Sequence, residues 1–206
     1  MPMKRLILIW VLLGLVLLAP PAPAQKCQGI HHKGAGILPH ARTAKGAIVL
    51  LLGLQENRGW TCFGGGPQMV ESLARPEPRC ETPEETALRE AHEEMRRLIP
   101  RTQLKSGLAR APFFPWAPAP GDFITFVVKI PPVDLSPFYT AMVPSRSPYA
   151  ETQALAWIPL EELLRKAANP DYRVKTPDGR PLWEVFWEGI RPSLEDPGRV
   201  SALFSK

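Results

Sequence analysis

Residues 82–100, TPEETALREAHEEMRRLIP, read as a capped amphipathic helix, so any fold must supply an apolar layer for one of its sides. Thr82 is a good N-cap, Pro83 suits the first helical position, and Glu85, three residues after the cap, completes a capping box. Pro100 stops the far end. At about 100° per residue, Leu88, Ala91, Met95 and Leu98 share one arc, while Glu90, Glu93 and Glu94 share another.

The layer that receives the apolar arc is a sheet. GAIVLLLGL at 46–54 and FITFVVKI at 123–130 are β-type runs, with shorter candidates at 34–38 and 60–63. The run at 46–54 has no polar interruption, as expected for a strand buried on both faces. Further helices are expected at 159–168, PLEELLRKAA, and 181–190, PLWEVFWEGI. Many of the 25 prolines fall in connections such as 110–122 and 130–139, read as ordered loops or edge segments. There is no internal repeat, and strands with helices between them argue for one α/β (α+β) unit.

The first residues bear on compartment. Lys4 and Arg5 precede an apolar run from Leu6 to Leu18, and Ala22-Pro23-Ala24 has the small-x-small form of a cleavage site. Residues 1–24 are therefore expected to be a signal peptide, leaving 25–206 exported to a periplasm or the medium without a stable membrane anchor. Its removal takes away two of the five net positive charges. No dense basic stripe interleaved with aromatics remains, which argues against nucleic acid as a partner. An oxidising compartment permits one bridge among Cys27, Cys62 and Cys80. Cys62 with Cys80 is the expected pair, closing a proline-rich loop for about 2–4 kcal/mol, and three buried free thiols are the alternative.

Carboxylates three and four apart on a helix repel one another unless cations occupy the face, and such oxygen donors suit Mg²⁺ or Mn²⁺. A solvated face neutralised by Arg89, Arg96 and Arg97 is the plainer reading of the same residues. Upstream lies FGGG at 63–66, where glycines allow chain or ligand to approach closely.

Taken together, FGGG followed by ETPEETALREAHEE resembles the Nudix box, G-x5-E-x7-R-E-U-x-E-E-x-G-U with U a bulky aliphatic, in register from Glu81 to Glu94. ETQALAWIPLEELLRK at 151–166 is similar to a segment that follows the central strands in that family, so the likeness covers about residues 30–190. The resemblance implies a Nudix-like α/β/α sandwich with a central mixed sheet. It implies a metal-dependent pyrophosphohydrolase acting on a small diphosphate substrate, with Glu90, Glu93 and Glu94 as metal ligands. Glu81, Arg89, Gly65 and Gly66 would support the box, and Glu93 or Glu94 with Glu151 would serve as catalytic carboxylates. Asp122 is a weaker candidate, and Trp116 is the choice for stacking on substrate.

The sequence departs from the family pattern at three places. Arg75 stands where a glycine is expected six residues before Glu81, implying an insertion of QMVESLARPEP type in the box loop, and Arg96 and Arg97 replace a glycine and an aliphatic. Those departures motivate two other readings: a catalytically inactive Nudix-like binding or regulatory module, and a secreted interaction protein working through its proline-rich loops. His31, His32, His40 and His92 lack zinc-site spacing, and His31-His32 is expected to be an exposed segment.

Overall fold

The computed structural model describes residues 27, 32–72, 75–115, 123–142, 144 and 147–204. The expected leader, His31, Trp116 and Asp122 lie outside the described residues. In chain order the strands are β1 (Gly34–Arg42), β2 (Ile48–Gln55), β3 (Gly59–Thr61), β4 (Phe63–Gly65), β5 (Met69–Ser72) and β6 (Arg75–Cys80). Helices α1 (Pro83–Glu94) and α2 (Arg101–Leu108) follow, then β7 (Phe113–Pro115), β8 (Phe123–Lys129) and the short α3 (Ser136–Thr140). A 3-10 turn at Pro148–Ala150 leads into β9 (Thr152–Pro159), α4 (Leu160–Ala168), α5 (Glu184–Leu194) and α6 (Pro197–Phe204).

The main sheet is mixed and has seven strands. β1 is its centre: it runs parallel to β8 along 34–40, while its other edge pairs antiparallel with β4 at 35–37 and with β2 at 40–42. Because β2 and β4 divide that edge between them, they diverge from β1, and β2 pairs along most of its length with β9. Gly64 and Gly65 are therefore paired with the first half of β1, in the middle of the sheet, and the β5–β6 segment follows before α1.

Apolar residues on both faces of the strands account for two cores. Leu50, Leu52 and Leu54 of β2 face the side covered by α4, α5 and α6, where Trp60, Leu163, Phe186 and Phe204 pack. Leu51 faces the other side, with Ala87, Leu88, Ala91 and Met95 of α1 and Leu104 of α2. The unbroken run of β2 is thus two alternating faces, both buried.

α1 carries the expected capping box: the Glu85 amide donates to Thr82 Oγ1 at 3.2 Å and the Thr82 amide to Glu85 Oε2 at 2.9 Å. It ends at Glu94, however, and not at Pro100. Arg96 and Arg97 turn into the left-handed region, with φ of 51° and 61°, and Pro100 becomes the N-terminal neighbour of α2. β5 and β6, in the segment where an insertion is expected, pair antiparallel, with Met69 opposite Cys80 and Ser72 opposite Arg75. Their foot is tied by Cys27–Cys80, so the expected Cys62–Cys80 pair is corrected. Cys62 lies on the α4–α6 side of the sheet, 8% exposed and free, whereas Cys80 is brought to the chain's earlier end by the hairpin. His32 is likewise buried, contrary to the exposed segment expected.

His40 on β1 is 1% exposed, meets the Phe204 ring edge-on at 5.4 Å, and has no partner for Nδ1 among the described residues. Burial, aided by Lys129 and Arg42, pushes its imidazole down to about 4. Between its unfolded pKa near 6.5 and that folded value only the unfolded chain takes the proton, so this contribution to stability is lost as pH falls through the window. Urea unfolding at pH 7 and pH 4.5 should show His40→Leu losing about 2–3 kcal/mol less on acidification than the parent.

Candidate active site

The box is built on an ion pair that is mostly shielded from water. Glu81, 8% exposed, takes Arg89 Nε on Oε1 at 2.8 Å and Arg89 Nη2 on Oε2 at 3.0 Å. Its Oε2 also accepts the Gln68 amide at 3.0 Å and Thr86 Oγ1 at 3.3 Å. Burial works against ionisation of Glu81, but the Arg89, Gln68 and Thr86 bonds together hold its carboxyl below the ordinary range. Arg89 Nη2 also donates to the Gly66 carbonyl at 2.8 Å. One guanidinium therefore fastens the glycine loop, the residue before the helix and the helix itself.

Three carboxylates lie next to this clasp. Glu94 turns inward, 1% exposed, where Gln55 Nε2 donates to Oε1 at 2.6 Å and the Gly64 amide to Oε2 at 2.8 Å. Glu90 and Glu93 both reach Arg89 Nη1, at 2.9 Å and 3.3 Å. Burial raises the Glu90 carboxyl against the pull of Arg89, with Glu93 and Glu151 adding to the rise. Glu94 is lifted well above the ordinary range, by burial first and then by the Glu90 and Glu151 charges. Hard oxygen donors that disfavour one another's charge are the donor set a small divalent cation would relieve. As the side chains stand, Arg89 pairs with Glu90 and Glu93, and no group of three His, Cys, Asp or Glu among the described residues forms a ligand set.

Gly65 makes room for Glu90: a Cβ there would lie 2.4 Å from Glu90 Oε1 and 2.6 Å from its Cδ. The obstruction is the end of a flexible side chain, so Gly65→Ala should leave the melting temperature nearly unchanged while displacing Glu90. On the metal-binding reading proposed below, Mn²⁺ titration should then show affinity reduced roughly 10- to 100-fold, the usual scale for disturbing a ligand's support. Gly64→Ala provides the contrast. Its Cβ would meet the Gly36 Cα at 2.6 Å and the Ala35 carbonyl at 2.7 Å, so that variant should lose stability first.

Beside Gly64–Gly66 opens a cavity of about 260 Å³ with Phe114, Phe123, Trp183 and Phe186 in its walls. Arg58 stands 4.8 Å from the centroid of Trp183 and donates to Gln55 Oε1 at 3.0 Å. Gln55 in turn donates to Glu94, so the cavity wall and the box carboxylate share one hydrogen-bond chain. Sequence reading missed Arg58 and Gln55, which carry no local motif and reach the box only through the β2–β3 hairpin and the sheet. Trp116 lies outside the described residues, and Trp183 is the tryptophan on the cavity. Glu151 is exposed at the end of the 3-10 turn, its charge felt by Glu90 and Glu94.

The NUDIX domain model matches residues 30–178, and the chain belongs to that family. Its mixed central sheet with flanking helices is the Nudix-like α/β fold. Similar solved structures include a Nudix hydrolase from M. smegmatis, 18% identical, covering 85% of this chain and 92% of that one, with a TM-score of 0.44. A C. elegans Ap4A hydrolase is 20% identical, covering 68% and 89%, with a TM-score of 0.40. A bifunctional NMN adenylyltransferase/ADP ribose pyrophosphatase from Francisella tularensis, complexed with AMP and a Mn ion, is 15% identical, covering 88% and 44%, with a TM-score of 0.43. No curated protein sequence matches the chain.

Proposed function

We propose that this protein is an exported metal-dependent hydrolase that cleaves the diphosphate linkage of a nucleoside diphosphate joined to another group, or of a related compound. The observation that carries the reading is the Glu81–Arg89–Gly66 clasp, which fixes the glycine loop beside a helix bearing Glu90, Glu93 and Glu94. Those three residues would hold Mg²⁺ or Mn²⁺, Glu90 and Glu93 turning from Arg89 to do so. The cation would supply charge neutralisation on phosphate oxygens and a more acidic water. Glu93 or Glu94, with Glu151, would receive the proton from the attacking water. The apolar cavity beyond Gly64–Gly66 would house the rest of the substrate, with Arg58 and Trp183 on its wall.

Export is supported by the basic and apolar start of the sequence and by the Cys27–Cys80 bridge, since such bridges persist in oxidising compartments. The unit would then be a single domain starting at Gln25.

The test is release of monophosphate or phosphate from a panel of diphosphate compounds, with Mg²⁺, Mn²⁺ or chelator. Metal-dependent turnover is expected. The competing module reading is favoured by Arg89 already neutralising Glu90 and Glu93. It predicts ligand binding without turnover anywhere in the panel, and a triple Gln variant at Glu90, Glu93 and Glu94 with undiminished ligand affinity.

A further inference from the structure

We propose that Arg96 is a positioning residue that holds the segment carrying Glu151 against the box helix, doing with its side chain what a glycine at this place could not. The proposal rests on the hydrolase reading for its catalytic consequence, and on geometry alone for the hold itself. Arg96 and Arg97 occupy left-handed backbone conformations, with φ of 51° and 61°, that residues with a Cβ rarely adopt. The helix end supports them through the main chain, the Arg96 amide donating to the Glu93 carbonyl at 2.9 Å and the Arg97 amide to the His92 carbonyl at 3.0 Å, so both side chains are available for contacts beyond the helix.

The Arg96 guanidinium reaches three other parts of the chain. Nε donates to the Tyr149 carbonyl at 3.1 Å, Nη1 to the Phe138 carbonyl at 3.1 Å, and Nη2 to the Thr152 carbonyl at 2.9 Å. The same group lies 4.0 Å from the centroid of the Phe138 ring. All three nitrogens are thus spent on main-chain carbonyls from three separate pieces: the body of α3, the 3-10 turn and the first residue of β9. Arg97 adds a second hold, donating from Nη2 to the Tyr149 hydroxyl at 2.9 Å with its guanidinium 5.2 Å from that ring's centroid.

Glu151 lies between Tyr149 and Thr152, the two residues whose carbonyls Arg96 takes on either side of it. Besides its contacts with the two arginines, the turn directly before it has short-range bonds, the Ala150 amide to the Ser147 carbonyl at 2.8 Å and the Tyr149 amide to Ser147 Oγ at 3.2 Å. Since Arg96 immediately follows the C-cap of the helix that carries Glu90, Glu93 and Glu94, it fixes the fourth carboxylate relative to the other three. A planar fork of fixed donors suits three separated carbonyls, whereas one lysine ammonium on a flexible stem does not.

The experiment compares full-length Arg96→Gly, Arg96→Lys, Glu151→Gln and the Arg96→Gly/Glu151→Gln double variant with the parent. Hydrogen exchange at the Tyr149 and Ala150 amides should rise by about tenfold or more in Arg96→Gly, although glycine suits the backbone there. Arg96→Lys should not restore protection. In the assay, Arg96→Gly should lower kcat roughly 10- to 100-fold with KM little changed, and adding Glu151→Gln should cost nothing further. Unchanged exchange at these amides in Arg96→Gly would overturn the proposal, as would a double variant in which the two losses multiply in full. If the parent turns over no diphosphate, the hydrolase reading is what has failed, and the exchange comparison still decides whether Arg96 holds the segment.

Discussion

Glu93→Gln is expected to melt within about 2 °C of the parent and, on the hydrolase reading, to lose roughly 10²- to 10⁴-fold in turnover. The first half follows from contacts: Glu93 is partly exposed, and its hydrogen bond to Arg89 Nη1 is a long 3.3 Å. The second follows from its place on the acidic face, one of three carboxylates that would share a cation. Its neighbour should behave differently. Both oxygens of Glu94 already accept buried donors, from Gln55 and the Gly64 amide, so a Gln amide there points N–H groups at N–H groups. Glu94→Gln should lose activity and stability together, about 1–3 kcal/mol of the latter. Thermal melts with initial rates for both variants check the pair, and loss of stability in Glu93→Gln would refute the division of roles.

The largest effect on stability is expected at Arg89. In Arg89→Met, Glu81 keeps only the Gln68 amide and Thr86 hydroxyl, and Glu90 and Glu93 lose their shared cation. Removing one partner of a mostly buried pair costs about 3–5 kcal/mol, which for a chain of this size lowers the melting temperature by roughly 10 °C. The cost is largely that of stranding Glu81, so Arg89→Met/Glu81→Leu should be more stable than Arg89→Met alone. A double variant worse than the single one would mean that the clasp matters mainly through Glu81's bonds to Gln68 and Thr86.

These two sites also mark what the sequence could convey. The capping box of Thr82 and Glu85 is a local pattern and is present in the structure as read, and Glu81 and Arg89, singled out by their spacing, form an ion pair. The end of the helix was not legible. Nothing near Arg96 announces a left-handed arginine, because the groups that hold it, at Phe138, Tyr149 and Thr152, lie 42 to 56 residues away. The bridge failed for the same reason: Cys27 and Cys80 are 53 residues apart, and Cys80 is placed by the long-range fold of β5 and β6 rather than by any local pattern. Gln55 and Arg58 became visible only when the sheet placed their hairpin over the box.

Cys62 has a consequence for making the protein. Three thiols allow three different single bridges, and only Cys27–Cys80 is compatible with the fold. In the native state Cys62 is no competitor, since burial, helped by the charge of Glu94, pushes its thiol up to about 12 and leaves almost no thiolate. During oxidative refolding from denaturant that protection does not yet exist, so Cys62 is expected to compete for Cys27 and Cys80. Cys62→Ala would remove the competitor at its source, exchanging a little packing under the sheet for a single possible cross-link and a cleaner yield.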